Sequence, residues 1–329
     1  MLAAKMTRLI TRLALAGVAI SLALATARAQ DYPTRPIRMV VAYPPGGGVD
    51  AAGRVIGQKL GEILGQPVVI ENRPGASGAL GAQVVANSAP DGYTILISPG
   101  DFFVIPILMP QMTFDPSKEL LPVAMISSNP LVVVAAANAP FSGVKEMLEV
   151  GKRAADGLAY ATPGVATVNH VVGEWIGVTA QMKMLHVPYR GGADAALALA
   201  TGSVPMGIVS PPAVYPSLVD SGKIKVLALT ANRPAFLPTS WPTLRELGLP
   251  IEATLWLGIF APIGTPDVIV SRLDDALERI LADGSLRKRM NDTGVNPEFL
   301  AHSGFVTRIH TDTAHYNEAI QRAGIHIEQ

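Results

Sequence analysis

The sequence predicts an α/β protein of two domains, each built on a sheet flanked by helices. Short apolar runs rich in β-branched residues alternate with longer helical stretches along the chain. These runs show no polar alternation, which is typical of parallel strands covered on both faces. A chain of 329 residues exceeds the usual size of one domain, so two domains are expected.

Predicted strands and predicted helices alternate along much of the chain. Each predicted strand is a short run dominated by Val, Ile and Leu, and the strands are Ile37 to Val41, Val68 to Ile70, Thr94 to Ile97, Leu131 to Val134 and Lys225 to Leu229. The predicted helices are Ala51 to Leu64, Val144 to Ala155, Ala193 to Ala200 and Val268 to Leu281. Prolines at 211, 212, 234, 238 and 242 separate elements in the second half.

The first 29 residues have the pattern of a secretory signal peptide. A basic start with Lys5, Arg8 and Arg12 precedes an apolar run over 13–25, and Ala27 to Ala29 supplies an A-x-A cleavage site. The apolar run is too short to span a membrane. The alternative, a buried N-terminal helix, does not account for the basic flank and the cleavage pattern together. We therefore expect an exported chain that begins at Gln30.

Charge and cysteine content exclude several functions. Four of the 26 basic residues and none of the 26 acidic residues precede Gln30, so the mature chain has 22 basic residues and a net charge of −4. A mildly acidic protein without a long basic run is a poor candidate for binding nucleic acid. The absence of cysteine rules out disulfides, thiol catalysis and thiolate metal sites.

The sequence contains no recognisable catalytic motif. The G-x-S-x-G and H-E-x-x-H patterns are absent, and the six histidines are scattered. Gly75, Gly78 and Gly81 lack the spacing of a dinucleotide fingerprint. We expect no catalytic residues, no metal and no cofactor. One alternative stays open, an exported α/β hydrolase acting on a carboxylate ester, with Ser77 or Ser210 as nucleophile.

Glycine turns that precede helices are the candidate binding elements. In the first turn, the strand that starts at Ile37 ends near Tyr43 and is followed by two prolines, three glycines and a helix. Such a turn exposes backbone N–H groups and the positive end of a helix dipole, which together attract anions. Similar turns occupy 73–78, 160–167 and 186–192. Because ligands of open α/β sheets bind beyond the carboxyl ends of strands, four such turns predict a pocket.

The chain resembles the exported substrate-binding proteins of tripartite tricarboxylate transporters, the Bug or TctC-like family. The resemblance covers essentially the whole mature chain. Its motifs, weak singly but specific in this order, are Tyr32-Pro33, Arg35-Pro36-Ile37, Pro45-Gly46-Gly47 with Asp50, Glu71-Asn72-Arg73-Pro74-Gly75, Asp91-Gly92-Tyr93-Thr94, His186-Val187-Pro188-Tyr189 with Gly191-Gly192, Trp256, and Ala261-Pro262-Ile263-Gly264-Thr265-Pro266.

The resemblance implies a two-domain periplasmic-binding-protein clamshell of type II. Residues 1–29 are the signal peptide, 30–129 and 248–329 form domain 1, and 130–247 form domain 2, with crossovers near Asn129 and Gly248. It further implies a periplasmic monomer that binds a small carboxylate in the interdomain cleft. The loaded protein would be read by membrane permease subunits, or by a sensor. The resemblance implies no metal, cofactor or nucleic acid.

The resemblance also places the ligand against particular loops. The carboxylate would meet the backbone of the first glycine turn, and the second domain would close over the ligand. The predicted ligand-binding residues are Tyr43, Pro45, Gly46, Gly47, Gly48, Ser77, Gly78, Asp101, Phe103, Thr162, Val165, Thr167, Tyr189 and Ser210. Thr167 either donates to a carboxylate or caps its helix. We assign His170 to bracing the loop and Asp50 to a structural pair with Arg54.

Departures from the family pattern concern the ligand. Val165 and Ala166 stand where Asn and Gly are common, Ala79 stands where Asn is usual, Ser210 replaces a frequent Asp, and the segment containing Phe103 is bulkier. The loss of polar groups favours a monocarboxylate or an aromatic or apolar acid over a dicarboxylic amino acid. In the alternative interpretation, these apolar residues pack into the core and face no ligand.

Overall fold

A computed structural model describes residues 32–109, 114–214 and 216–325, so the predicted signal peptide lies outside the described residues. The strands are β1 (Ile37–Val41), β2 (Val68–Asn72), β3 (Thr94–Pro99), β4 (Leu120–Pro130), β5 (Val132–Ala136), β6 (Leu158–Thr162), β7 (Met184–Pro188), β8 (Met206–Val209), β9 (Ile224–Leu229), β10 (Thr254–Pro262) and β11 (Pro297–Leu300). The helices are α1 (Gly48–Leu64), α2 (Ala79–Ala86), α3 (Asp101–Leu108), α4 (Pro116–Glu119), α5 (Val144–Arg153), α6 (Val168–Ala180), α7 (Gly192–Ala200), α8 (Pro211–Val214), α9 (Ser217–Asp220), α10 (Asp267–Ala282), α11 (Gly284–Asp292) and α12 (His302–Ala323).

The strands form two sheets, which confirms the predicted α/β architecture. The first has the order β11-β4-β10-β3-β1-β2 and the second the order β7-β6-β8-β5-β9. We call each sheet with its helices a body, the first and the second. The chain passes from the first sheet to the second at Leu131 and returns across 230–253. The predicted domain boundaries near Asn129 and Gly248 stay predictions.

Both sheets are mixed, so the expectation of parallel sheets is wrong. In the first sheet β1 pairs in parallel with β2 and β3, but β10 runs antiparallel to β3 and to β4. In the second sheet β5 runs antiparallel to β8 and β9. The antiparallel pairs involve β4, β5 and β10, the strands that flank the two passages of the chain between sheets. The sequence analysis did not assign β4 and β10 as strands.

Alternate residues of the buried strands face different cores. Along β1, Met39 and Val41 pack with the apolar faces of α1 and α10, whereas Val40 packs with α2 and α12. In the second body, Val133 belongs to the core beneath α5 and α6, and Val134 to the core beneath α7. A strand buried on both faces has no need of polar alternation, which explains its sequence.

The C-terminal helix α12 packs against both bodies. Phe305, near its start, is fully buried in the core of the first body, and Tyr316 and Ile320 are buried in a core of the second. Tyr316 Oη also donates to the carbonyl of Thr254 on β10. The helix therefore braces the two bodies on the side of the molecule where β10 begins. Within the described ranges, no helix has the length and apolar character needed to cross a membrane.

Candidate functional site

A cavity lies between the two bodies, where strands of both sheets end. It is lined by residues at or just after the ends of β1, β3, β6, β7 and β8, by the last part of β4 and by the first part of β10. Its volume is about 150 Å³, comparable to a protein cavity that accommodates benzene. The lining residues are Tyr43, Pro44, Pro45, Gly47, Gly48, Val49, Ala52, Pro99, Asp101, Ser127, Asn129, Pro163, Asn169, Arg190, Gly191, Gly192, Ala193, Asp194, Ser210, Pro212, Ala213, Leu255, Trp256, Leu257 and Val295.

The glycine turn before α1 forms one wall of the cavity. Gly46 has a φ of 83°, which favours glycine, and Gly47 is the N-cap residue. The buried carboxylate of Asp50 accepts hydrogen bonds from Gly46 N at 3.0 Å, Asn72 Nδ2 at 2.9 Å and Arg54 Nε at 3.0 Å. The predicted structural pair of Asp50 with Arg54 is thereby confirmed.

The electrostatics of Asp50 suit this structural role. Burial alone would raise the pKa of its carboxyl, but the hydrogen bonds from Arg54, Gly46 and Asn72 outweigh burial and lower the pKa below its ordinary value. The carboxylate is thus ionised and fully engaged within the turn. It holds the turn in place, and α1, whose first residues line the cavity, has no side-chain cap on its first amides.

The start of α7 forms the opposite wall. Gly191, its N-cap residue, has a φ of 146°, and neither α7 nor α1 has a side-chain cap. The two walls touch, since a Cβ built on Gly191 would lie 3.4 Å from Pro44 Cδ and one on Gly48 would lie 3.2 Å from Pro212 Cβ. Two helix N-termini therefore converge on the cavity from different bodies. Such ends attract anions.

Asn169 presents a hydrogen-bond acceptor that lacks a partner. Its Nδ2 donates to the carbonyl of Ile208 at 2.9 Å, which fixes the orientation of the amide. Its Oδ1 is buried and has no hydrogen-bond partner among the described residues. A buried polar atom without a partner is costly, so the cavity favours a molecule that donates a hydrogen bond there.

Asp101 connects the two bodies. Its carboxylate, 2% exposed, accepts from Tyr43 Oη at 2.7 Å and from Val168 N, the first residue of α6, at 2.9 Å. Burial raises the pKa of Asp101 to about 6, although the hydrogen bonds from Tyr43 and Val168 oppose the rise. Burial, together with the nearby Asp101, also raises the pKa of Tyr43 well above its ordinary value, so Tyr43 remains a donor.

Six of the predicted ligand-binding residues line the cavity: Tyr43, Pro45, Gly47, Gly48, Asp101 and Ser210. Gly46 instead lines a neighbouring groove, together with Gly47 and Gly48. Tyr189 packs against a core of the second body. The first turn thus reaches the cavity through its glycines that begin α1.

The other predicted loop residues hold the loops together. Ser77 Oγ donates to the carbonyl of Val165 at 2.5 Å, a contact between the two bodies. Thr162 Oγ1 bonds the carbonyl of Gly164. Thr167 Oγ1 accepts from His170 N at 3.2 Å, which is a helix N-cap and favours the capping interpretation of this residue. Gly78, with a φ of 96°, starts α2 beside Tyr43.

The apolar residues on which the ligand hypothesis relied do not line the cavity. Phe103 is 7% exposed and packs against Trp256 and Phe260. Val165 and the fully buried Ala166 pack against the same core. The alternative interpretation, that these residues pack and face no ligand, describes this structure. The apolar character of the cavity comes from other residues, chiefly prolines and the β10 residues Leu255 to Leu257.

Sequence reasoning missed Asn169 and the lining from the crossing strands. Asn169 adjoins His170 in the sequence, but nothing in the local pattern distinguishes an inward amide from a helix surface residue. Ser127 and Asn129 come from β4, whose polar residues obscured the strand pattern. The signal that the sequence offered was a polar run at 127–129 that interrupts an apolar stretch. In the structure these polar residues are buried.

A pair of stacked histidines lies behind the cavity in the second body. The rings of His170 and His186 stack with centroids 3.6 Å apart, and His170 Nδ1 accepts from Ala166 N at 3.2 Å. That hydrogen bond agrees with the predicted bracing role of His170. Burial, and for His170 also the neighbouring His186, lowers the two pKa values to about 3 and about 4. In the described part of the chain, no cluster of three or more His, Cys, Asp or Glu residues is arranged for a metal.

Two α/β bodies with a cavity between them and helix N-termini converging on it define a class of solute-binding proteins. The sequence model of one family, the tripartite tricarboxylate transporter family receptor, matches residues 52–325 of this chain. The chain therefore belongs to this family, and the predicted resemblance is confirmed.

Individual relatives are similar over most of their length. A UPF0065 protein in the tcbD-tcbE intergenic region of Pseudomonas sp. (strain P51) is 34% identical over 301 residues, covering 88% of this chain and 89% of the relative. The solved structure of Rpa4515 of R. palustris with adipate has a TM-score of 0.85 at 28% identity, covering 90% and 99% of the two chains. The periplasmic binding protein BugD has a TM-score of 0.83 at 29% identity, covering 90% and 100%.

Proposed function

We propose that the protein is a periplasmic solute-binding protein that captures a small carboxylate between its two bodies. The observation that carries this proposal is the convergence of α1 and α7, both with glycine N-caps, on one cavity. Backbone amides and helix dipoles hold a carboxylate without a charged side chain. Arg190, exposed at the cavity edge, adds the positive charge of a guanidinium.

The ligand we propose has one carboxylate and a compact aliphatic or aromatic body. The side chains that surround the helix N-termini are mostly proline, alanine, leucine, valine and tryptophan. Ser210 is uncharged and offers no ion pair to a ligand ammonium, which leaves Asp101 and Asp194 as the acidic lining residues. A volume of about 150 Å³ suits a body of benzene size. Asn169 Oδ1 suits a hydroxyl group on the ligand or a bound water.

Family membership supports a role in delivery to a transporter. We propose that permease subunits of a tripartite tricarboxylate-type transporter receive the ligand, with a membrane sensor as the alternative recipient. Rpa4515, a relative with the same fold, has been solved with adipate, a dicarboxylate. This supports a carboxylate as the ligand class and a role in capture rather than chemistry.

The hydrolase alternative lacks a plausible nucleophile. Ser77 Oγ donates to the carbonyl of Val165 and does not line the cavity. Ser210 does line it, but no histidine is among the described lining residues, so Ser210 has no base beside it. Incubation of the pure protein with small carboxylate esters would show no turnover. Sustained ester hydrolysis would overturn the binding proposal.

The direct test is a thermal-shift screen combined with mass spectrometry of acids that co-purify with the protein. Saturating small monocarboxylates should raise Tm by several degrees, because a ligand that binds only the folded state stabilises it. Citrate and glutamate should give no shift. Stabilisation by glutamate or citrate, with no response to aliphatic or aromatic monocarboxylates, would contradict the proposed ligand class.

A further inference from the structure

Among the helices that begin at the cavity, α1, α6 and α7 differ in what occupies their N-termini. The helices α1 and α7 start at Gly47 and Gly191, which have no side chain to cap them. The helix α6 is closed by two side chains of the chain itself. Thr167 Oγ1 accepts from His170 N, and Asp101 Oδ1 accepts from Val168 N. The anion position of α6 is therefore filled in advance.

We propose that Asp101 is a specificity-determining residue, a built-in carboxylate that occupies the start of α6 and limits the ligand to one carboxylate. The proposal rests on the proposed function and deepens it. A ligand carboxylate would bind at α1 and α7, and its other end would approach Asp101, which lines the same cavity. A second carboxylate at that end would meet a like charge in a buried site.

The position of Asp101 is fixed by packing on every side. Gly100, the preceding residue, lies so close to the Trp256 indole that a Cβ would approach its ring to 2.4 Å. Phe102 and Phe103, the following residues, are buried against Phe260. The backbone that carries Asp101 is therefore held by packing at the start of α3.

Tyr43 selects the ionised form of this carboxylate near neutral pH. Its hydroxyl donates to Asp101 Oδ2 at 2.7 Å while Val168 N donates to Oδ1 at 2.9 Å. Both partners are donors, so each oxygen is engaged as an acceptor. This is the arrangement expected of a bound carboxylate ligand, but here it is supplied by the chain. Because Tyr43 belongs to the first body and Val168 to the second, the same contact also joins the bodies.

The proposal is tested with pairs of acids that share a carbon skeleton. Titration calorimetry at pH 7 would compare propanoate with malonate, butyrate with succinate, hexanoate with adipate, and 4-methylbenzoate with terephthalate. The variants are Asp101→Ala, which opens the anion position, and Asp101→Asn, which removes the charge at nearly constant volume. Asp283→Ala is the matched control, because Asp283 also accepts backbone amides, of Ser285 and Leu286, at a helix start distant from the cavity.

For the best-bound skeleton, the wild type should prefer the monocarboxylate at least tenfold. Asp101→Ala should change the ratio of dicarboxylate to monocarboxylate affinity at least tenfold in favour of the dicarboxylate, whatever the loss of the contacts between bodies costs both acids. Asp101→Asn should reduce the preference at least threefold, and Asp283→Ala should leave it unchanged. If Asp101→Ala does not fold, the comparison of Asp101→Asn with the wild type tests the proposal.

Two results would overturn the inference about Asp101. In the first, the folded Asp101 variants keep the wild-type preference for the monocarboxylate over the dicarboxylate. In the second, the wild-type protein binds both acids of a pair equally. Binding of none of these acids by the wild type would instead count against the proposed function. The two failures are thus distinguishable.

Discussion

Two buried aspartates at the cavity have opposite electrostatic environments. Asp50 accepts three hydrogen bonds, one of them from a guanidinium, and its pKa is lowered. Asp101 accepts two from uncharged donors, and burial raises its pKa to about 6. The difference follows from charge compensation, since Arg54 pairs with Asp50 and no cation pairs with Asp101 among the described residues. Asp50 fixes the glycine turn, and Asp101 lines the cavity and joins the two bodies.

Replacement of Asp50 by alanine should loosen the turn. The change removes acceptors of a charged donor and of the Gly46 amide, so the free energy of unfolding should fall by about 2 kcal/mol. Urea denaturation measures the fall. Arg54→Ala is the matched control, because Arg54 is largely exposed and its loss should cost below ~1 kcal/mol. Equal losses in the two variants would contradict this assignment.

The raised pKa of Asp101 predicts a specific dependence of stability on pH. Between about pH 4 and 6 the folded protein keeps a proton that the unfolded chain has released. The stability that this group contributes is therefore present in full below pH 4 and is lost as pH rises through 6. Relative to Asp101→Asn, the wild-type free energy of unfolding should fall by about 3 kcal/mol from pH 4 to 7. A difference that stays constant or grows with pH would refute this.

At the scale of elements, the start of α6 is held by a layer of histidines and hydroxyls. His186 Nε2 bonds Thr162 Oγ1 at 2.6 Å, and Tyr160 Oη donates to Glu174 Oε1 at 2.7 Å. Stacked on His186, His170 accepts from the loop amide of Ala166. These contacts set the direction of α6, and hence the position of the Val168 amide that meets Asp101.

The histidine pair should make the protein sensitive to acid. Because the pKa values of His170 and His186 are lowered to about 3 and about 4, the stability that these groups provide is present above pH 6.5 and is lost as pH falls toward 4. Tm measured by circular dichroism should decline less between pH 7 and 4.5 in His186→Gln than in wild type. His310→Gln, at an exposed position of α12, should keep the wild-type decline. Identical declines in all three proteins would refute this role.

At the scale of the whole molecule, several contacts join the two bodies. Ser77 Oγ donates to Val165 O, Asp101 accepts from Val168 N, and Gly48 approaches Pro212. Each pair joins a residue of the first body to one of the second. Closure of two bodies around a ligand is a known motion of binding proteins.

A side chain at Gly164 should hinder closure. A Cβ at this position would lie 2.8 Å from Ser77 Oγ, so Gly164→Ala breaks the hydrogen bond to Val165 or keeps the bodies apart. We expect the affinity for the best monocarboxylate to fall about tenfold, or about 1.4 kcal/mol, with little change in ligand-free stability. Gly143→Ala, where a Cβ meets nothing within 4 Å, should bind as wild type. Unchanged affinity in Gly164→Ala would argue against closure at this contact.

Much of the fold was predictable from local sequence. Helix α1 ends at Leu64 as predicted but begins at Gly48, three residues before the predicted start, and α10 spans Asp267–Ala282 against a prediction of 268–281. The mixture of parallel and antiparallel strands in each sheet could not be predicted, because strand direction depends on pairing between distant segments. For the site, the glycines of the first turn and Ser210 could be predicted from the sequence, because they lie where strands end. The packing of Phe103 and Val165 could not be predicted, because apolar loop residues occur in cores and in cavity walls equally often.

The most direct test is a crystal structure of the protein with the monocarboxylate that gives the largest thermal shift. The account predicts an acid enclosed between the bodies, with carboxylate oxygens about 3 Å from backbone amides at the starts of α1 or α7 and the apolar body toward Leu255 to Leu257. An acid bound outside this cavity, or bound inside with its carboxylate away from both helix starts, would contradict the account.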